Sequence, residues 1–105
     1  MKYDFHPESR LEYLETAIFY ERIYPGLGAA FTLEVEGSIQ RILDAPERFL
    51  VIEQDVRRCL THSFPYSILY TIEQNSILIV AVMHFRREPG YWRQRLDQSS
   101  KEVEG

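Results

Sequence analysis

The chain has 105 residues, the size of one domain, and 45% are hydrophobic, so a modest core can form without disulfides. The net charge of −4 makes it a poor general binder of nucleic acid. The single cysteine, Cys59, has no partner in the chain, which fits a reducing cytoplasm, and no stretch approaches the ~18 apolar residues of a membrane helix.

Lys2 to Phe5 is short and half apolar and reads as a first strand. His6-Pro7 starts a helix, because proline tolerates the first helical position. Leu11, Leu14, Ala17 and Ile18 recur at helical spacing, with Tyr13 and Tyr20 alongside. Glu8, Glu12, Glu15 and Glu21 fill much of the remaining surface and read as a solvated face. Tyr24-Pro25-Gly26 ends the helix and turns the chain. A second helix carries Leu27, Phe31, Val35, Ile39 and Ile42 on one stripe, the pattern of a core-facing helix. Gly37 on this helix is expected to let the two helices approach. Gly26 and Gly28 make no phosphate loop, since no strand precedes them and no Lys-Ser/Thr follows.

Asp44-Ala45-Pro46-Glu47 stops the second helix. Phe49 to Ile52 reads as a strand, Gln54-Asp55 as a turn and Val56 to Thr61 as the next strand, with Cys59 expected to be buried and inert. Pro65 cannot donate to a ladder and marks a bulge or a strand start. Tyr66 to Ile72 alternates with a period of two, as a strand with two unlike faces does. Glu73 to Ser76 supplies a hairpin turn. Ile77 to Met83 is apolar at every position, so it belongs inside the sheet with both faces covered, and Ile77 to Val82 is expected to be the most buried strand. His84, Phe85, Arg86 and Arg87 follow, then a break at Pro89-Gly90, then Tyr91, Trp92, Arg93 and Arg95. A short final helix can close the domain at residue 96. Residues 97–105 are polar and are expected to form a disordered tail.

The elements run β-α-α-β-β-β-β. The expected fold is α+β, a helical hairpin packed on one face of a small, mostly antiparallel sheet. Charge is uneven along it: residues 1–56 carry −6 and residues 57–105 carry +2. Chemistry-bearing groups gather after the best-buried strand. His84 can exchange a proton near neutral pH, and an arginine can hold a phosphate or carboxylate with two hydrogen bonds. The same residues can equally cap a strand and pair with Glu88. His6 and His62 have no companion at a metal-ligand spacing, so neither metal nor cofactor is expected. Ser63 and Ser67 lie near His62, but no nucleophile elbow is visible.

The order and spacing of Arg57-Arg58, Phe64-Pro65-Tyr66, Ile68-Leu69-Tyr70, Val82, His84, Arg86-Arg87, Pro89 and Tyr91-Trp92 resemble the RelE/ParE superfamily, toxins of bacterial type II toxin–antitoxin systems. The similarity runs from about Tyr3 to Arg95 and is closest in the ParE-like, "plasmid stabilization" branch. It implies the same fold and a cognate antitoxin as partner. It also implies growth inhibition by one of two routes. RelE-like members cut messenger RNA on the ribosome, which requires activating a ribose hydroxyl, stabilising the phosphorane and protonating the leaving oxygen. The candidates for such work are His84, Arg86, Arg87 and Tyr91. The set is incomplete, because Ser67 stands where such nucleases carry arginine and Glu47 to Asp55 offers only Arg48 as a cation. ParE-like members bind DNA gyrase without an active site of their own, and this is the preferred reading, which makes the chain a non-enzyme. Target contacts are then expected from Arg57, Arg58, His84, Arg86, Arg87, Tyr91 and Trp92. Antitoxin contacts are expected from Tyr13, Phe19, Tyr20 and Leu27. No membrane partner is expected, and no binding of free DNA by the chain alone. A third reading is a binding module of this fold that has lost toxicity.

Overall fold

The computed structural model describes residues 1–96. The polar tail expected at 97–105 lies outside the described residues. The elements are β1 (Lys2–Phe5), α1 (Pro7–Ile23), α2 (Leu27–Asp44), β2 (Leu50–Glu53), β3 (Val56–Leu60), β4 (Tyr66–Glu73) and β5 (Ser76–His84). The five strands form one sheet in the order β1-β5-β4-β3-β2. Among the described residues β1 and β5 run parallel, and the other neighbours are antiparallel hairpin partners. The α+β hairpin-on-sheet fold expected from the sequence is the one observed. Among the described residues no helix is long and apolar enough to cross a membrane.

Local chemistry explains each boundary. His6 caps α1, its Nδ1 accepting the Glu8 N–H at 3.1 Å, and Pro7 follows at the first turn, where its missing N–H costs nothing. Gly26, at φ +91°, turns the chain between the helices. Gln54 and Asn75 take the left-handed conformation in the two tight β turns.

The main core lies between the sheet and α2. Phe31, Val35, Ile39 and Ile42 are fully buried against Ile68, Tyr70, Ile77 and Ile79. Each such side chain contributes roughly 1.5–3 kcal/mol by leaving water. Cys59 is buried in the same core, and burial raises its thiol pKa. β4, not β5, is the most deeply buried strand: it lies third of five and is buried from Tyr66 to Thr71. The sheet also bulges. Leu69 pairs with Ala81 and Tyr70 with Ile79, so Val80 is extra and both Val80 and Ala81 face away from the helices. That second face is covered by Trp92, which is 3% exposed and packs with Val56, Leu69, Val80 and Ala81.

Two expectations about the helices are corrected. The stripe Leu11, Leu14 and Ile18 does not face the core: these residues are 57%, 47% and 51% exposed. The packed face of α1 is Ser9, Tyr13, Ala17 and Tyr20, with Phe5 stacked on Tyr13 and Tyr20 against Phe31 and Phe64. Helical spacing reports a face, but not which of two faces is buried.

Gly28, not Gly37, is the close approach between the helices. A Cβ at Gly28 would sit 2.5 Å from the Ala17 carbonyl oxygen, whereas nothing lies within 4 Å at Gly37. Glu21 completes this crossing by accepting the N–H groups of Gly26 and Gly28 at 2.9 and 3.0 Å. Gly28→Ala should therefore destabilise the protein by about 1–3 kcal/mol, the usual cost of overpacking, although alanine favours helix. Gly37→Ala should be neutral or stabilising. Denaturant midpoints of the two variants check this; equal midpoints would contradict it.

Candidate functional site

The site forms where β1 runs out. Proline at position 7 ends β1 at Phe5, so the last backbone bond to β5 is His6 N–H to the Ile79 carbonyl at 2.9 Å. Past Ile79, among the described residues, this edge of β5 has no strand beside it. Side chains take the place of one. Ser9 Oγ lies 2.8 Å from the Ile79 carbonyl oxygen. Arg95 Nη1 donates to the Val80 carbonyl at 2.8 Å. Glu12 Oε1 accepts the Val82 N–H at 3.1 Å.

Glu12 is thus no solvated residue. Its carboxylate also accepts from Arg95 Nη1 and Nη2, at 3.0 and 2.8 Å, and from the Tyr91 hydroxyl at 2.5 Å. Arg95 is 5% exposed. Burial alone would lower its pKa, but the hydrogen bonds and charge of Glu12 outweigh that and raise it. The Tyr91 hydroxyl is pushed well above its ordinary value by burial first and then by the Glu12 carboxylate. It stays protonated near neutral pH and donates its proton to the Glu12 hydrogen bond. A buried ion pair is tolerated when hydrogen bonds satisfy both partners, as they do Glu12 here.

Beside this clasp lies a groove of about 260 Å³ lined by Glu12, Glu15, Thr16, Phe19, Tyr66, Val82, His84, Arg87 and Tyr91. Its lining brings aromatic rings, carboxylates, an imidazole and a guanidinium together. His84 meets Tyr66 edge-on, ring centroids 5.1 Å apart, and its Nδ1 accepts the Arg86 N–H at 3.0 Å. Arg87 lies over the Tyr91 ring, 3.9 Å from the centroid. Glu12 therefore fixes Tyr91, and the Tyr91 ring supports Arg87. Arg86 and Arg87 are exposed.

The residues singled out from the sequence fall into separate places. His84, Arg87 and Tyr91 come together in the groove, and Phe19 joins them from α1. Arg86 stands beside them. Trp92 is buried on the opposite face of the sheet. Arg57 turns inward, donating to the carbonyls of Glu47 and Phe49 at 2.9 and 2.8 Å. Arg58 is half-buried on β3, away from the groove. Tyr13 and Tyr20 are half-buried in the aromatic core and Leu27 is half-buried at the start of α2. Ser67 pairs with Met83 and is buried on the sheet face opposite His84, which pairs with Tyr66. Glu12 and Arg95 were missed. The available signal was that β1 is four residues long against nine in β5, which leaves an edge that polar side chains must cover.

A family model described as the ParE toxin of a type II toxin–antitoxin system, parDE, matches residues 4–89, which is more than half of the chain. No curated protein matches the sequence.

Proposed function

We propose, from the premise that the chain belongs to the ParE toxin family of type II toxin–antitoxin systems, that it acts in the cytoplasm by binding DNA gyrase and has no catalytic centre of its own. The observation that carries this reading is the groove's chemistry. It offers one imidazole and one guanidinium beside a tyrosine hydroxyl already committed to Glu12. Ribose-directed RNA cleavage needs a base, an acid and a phosphorane clamp placed around one phosphate. Position 67, where the nuclease branch would bring an arginine, holds a buried serine on the other side of the sheet. A guanidinium exposed beside aromatic rings suits a protein interface, where arginine and tyrosine are common anchors. Inducing the chain alone tests the reading: DNA damage signalling should appear before translation stops. Translation arrest appearing first would favour the ribosomal nuclease.

Arg87→Ala should weaken the complex with gyrase by about 1–4 kcal/mol while leaving the fold intact, because Arg87 rests on Tyr91 and supports nothing above it. Titration of gyrase with the variant measures this. Unchanged affinity would move the contact away from the groove.

The family implies a cognate antitoxin. Phe19 is the exposed member of the four residues expected to meet it, and it lines the same groove as His84 and Arg87. An antitoxin segment placing an apolar side chain there would cover the target-binding groups, which accounts for neutralisation by occlusion. Phe19→Arg should then cost antitoxin affinity on the order of 1–4 kcal/mol by calorimetry. Affinity equal to wild type would place the docking site elsewhere.

A further inference from the structure

β1 is an edge strand, and its outer side serves no purpose within the fold. Among the described residues no strand lies beyond it. Its inner side is fixed by the parallel ladder with β5, which closes with the His6 N–H on the Ile79 carbonyl. Backbone groups alternate in direction along a strand. Lys2, Asp4 and His6 therefore bond inward, and the N–H and C=O groups of Tyr3 and Phe5 point outward. A groove of about 340 Å³ lies between this edge and α1, lined by Tyr3, Asp4, Phe5, Arg10, Tyr13 and Leu14. The opposite edge, β2, has a register shift between Val51 and Glu53, a bulge of the kind that hinders strand addition. The register of β1 on β5 runs without a break from Lys2 to Phe5.

The strand is complementary to itself in one register. Tyr3 and Phe5 pack on the helix side of the sheet, and Lys2 and Asp4 face the other way. Both charged side chains are exposed, and among the described residues neither is held by an ion pair. In an antiparallel pair of β1 strands, outward backbone groups must meet outward backbone groups. Tyr3 then has three possible partners. Opposite Phe5, it sets Asp4 against Asp4. Opposite Met1, it sets Lys2 against Lys2. Opposite Tyr3, it sets Lys2 of each copy against Asp4 of the other, and like charges directly opposed are absent. A parallel pair must be staggered by one residue for its backbone to bond. The charged side chains of one copy then fall beside the aromatic ones of the other, and no ion pair forms. Backbone direction and charge thus select the same arrangement.

We propose that a second copy of this chain adds to this edge, β1 against β1 in antiparallel orientation, with Tyr3 on the twofold axis. The two sheets become one. Tyr3 exchanges both backbone bonds with its counterpart, and two Lys2–Asp4 pairs flank the axis on the face away from the helices. Met1, 63% exposed in the single chain, comes opposite Phe5 of the second copy, on the side where the groove opens. The Tyr3 hydroxyl keeps its bond to Glu36, at 3.2 Å. A strand of four residues covers less than the ~800 Å² per partner of a stable complex, so the dimer is weak and forms at high concentration. The groove that holds Arg87 shares no lining residue with this one, so gyrase binding is measured separately.

Sedimentation equilibrium of the purified full chain from micromolar to millimolar concentration tests this. The wild type should rise from one chain mass towards two. Asp4→Lys sets lysine against lysine at both pairs, and Lys2→Asp sets aspartate against aspartate. Each variant alone should stay at one chain mass. An equal mixture of the two should rise again, because the lysines of one then face the aspartates of the other. Both positions are exposed, so each variant should melt at the wild-type temperature, which confirms that it folds. A wild type that remains monomeric at every concentration overturns the proposal. So does a dimer indifferent to both substitutions, or a mixture that fails to associate. Loss of antitoxin binding by Asp4→Lys in a protein that never dimerises overturns it too, and gives the edge to the antitoxin. None of these outcomes touches gyrase binding, which fails or stands on its own assay.

Discussion

Ile79→Asp should leave no cooperatively folded protein at room temperature. Ile79 is fully buried on β5, paired with Phe5 on one side and Tyr70 on the other. Its carbonyl anchors the start of α1 through the His6 N–H and the Ser9 hydroxyl. The substitution removes an aliphatic side chain from the core, at about 2–5 kcal/mol, and puts an unpaired carboxyl group there. The carboxyl either ionises without a partner or stays protonated at a raised pKa, and both cost several kcal/mol more. The sum is comparable with the whole stability of a small domain, about 5–15 kcal/mol. Far-ultraviolet circular dichroism during heating reads the result. Leu33→Asp is the control: Leu33 is 74% exposed, and the change should stay within about 0.5 kcal/mol. A sharp melt of Ile79→Asp at the wild-type temperature would contradict the strand register.

Glu12→Ala is the second large effect, and composition gives no hint of it. The carboxylate removed is the partner of buried Arg95, of the Tyr91 hydroxyl and of the Val82 N–H. Breaking a buried ion pair from one side typically costs about 3–5 kcal/mol, because the remaining charge stays buried without compensation. For a domain of this size each kcal/mol lowers the melting temperature by roughly 4–8 °C, so a fall of more than about 12 °C is expected. Tyr91→Phe removes only one of these bonds and should cost about 1–2 kcal/mol. That loss also frees the ring on which Arg87 rests, so Tyr91→Phe is not silent even in a protein that performs no proton transfer. Differential scanning calorimetry of both variants checks the order. A Glu12→Ala protein as stable as Tyr91→Phe would mean that Arg95 finds water or another carboxylate.

The helical hairpin, the sheet and the order of elements along the chain were legible because each rests on local signals that agree. Pro7, Pro25-Gly26 and Asp44-Ala45-Pro46 punctuate the helices, and alternation followed by a continuous apolar run marks β4 and β5. The orientation of α1 was not legible. Its sequence carries two apolar faces, one aliphatic and one aromatic, and the aromatic face fits the space left by Phe31 and Phe64. Glu12 was hidden for a related reason. A glutamate on an amphipathic helix looks solvated until one knows that β1 stops at Phe5 and leaves the Val82 N–H without a strand partner. The end of β5 was read correctly as a meeting place of aromatic and cationic groups. Its division into an exposed part, Arg86 and Arg87, and a buried part, Trp92 and Arg95, depends on the chain folding back under the sheet after Pro89-Gly90. Nothing local to Trp92 or Arg95 encodes that return.

Supercoiling of relaxed plasmid by purified DNA gyrase, with the chain added in increasing amounts, is the most direct test of the proposed action. The rate of supercoiling should fall with wild-type protein, and Arg87→Ala should require roughly 5-fold to several hundred-fold more protein for the same effect. Undiminished supercoiling at saturating protein, with the same preparation cutting message on ribosomes, would contradict a gyrase-binding toxin.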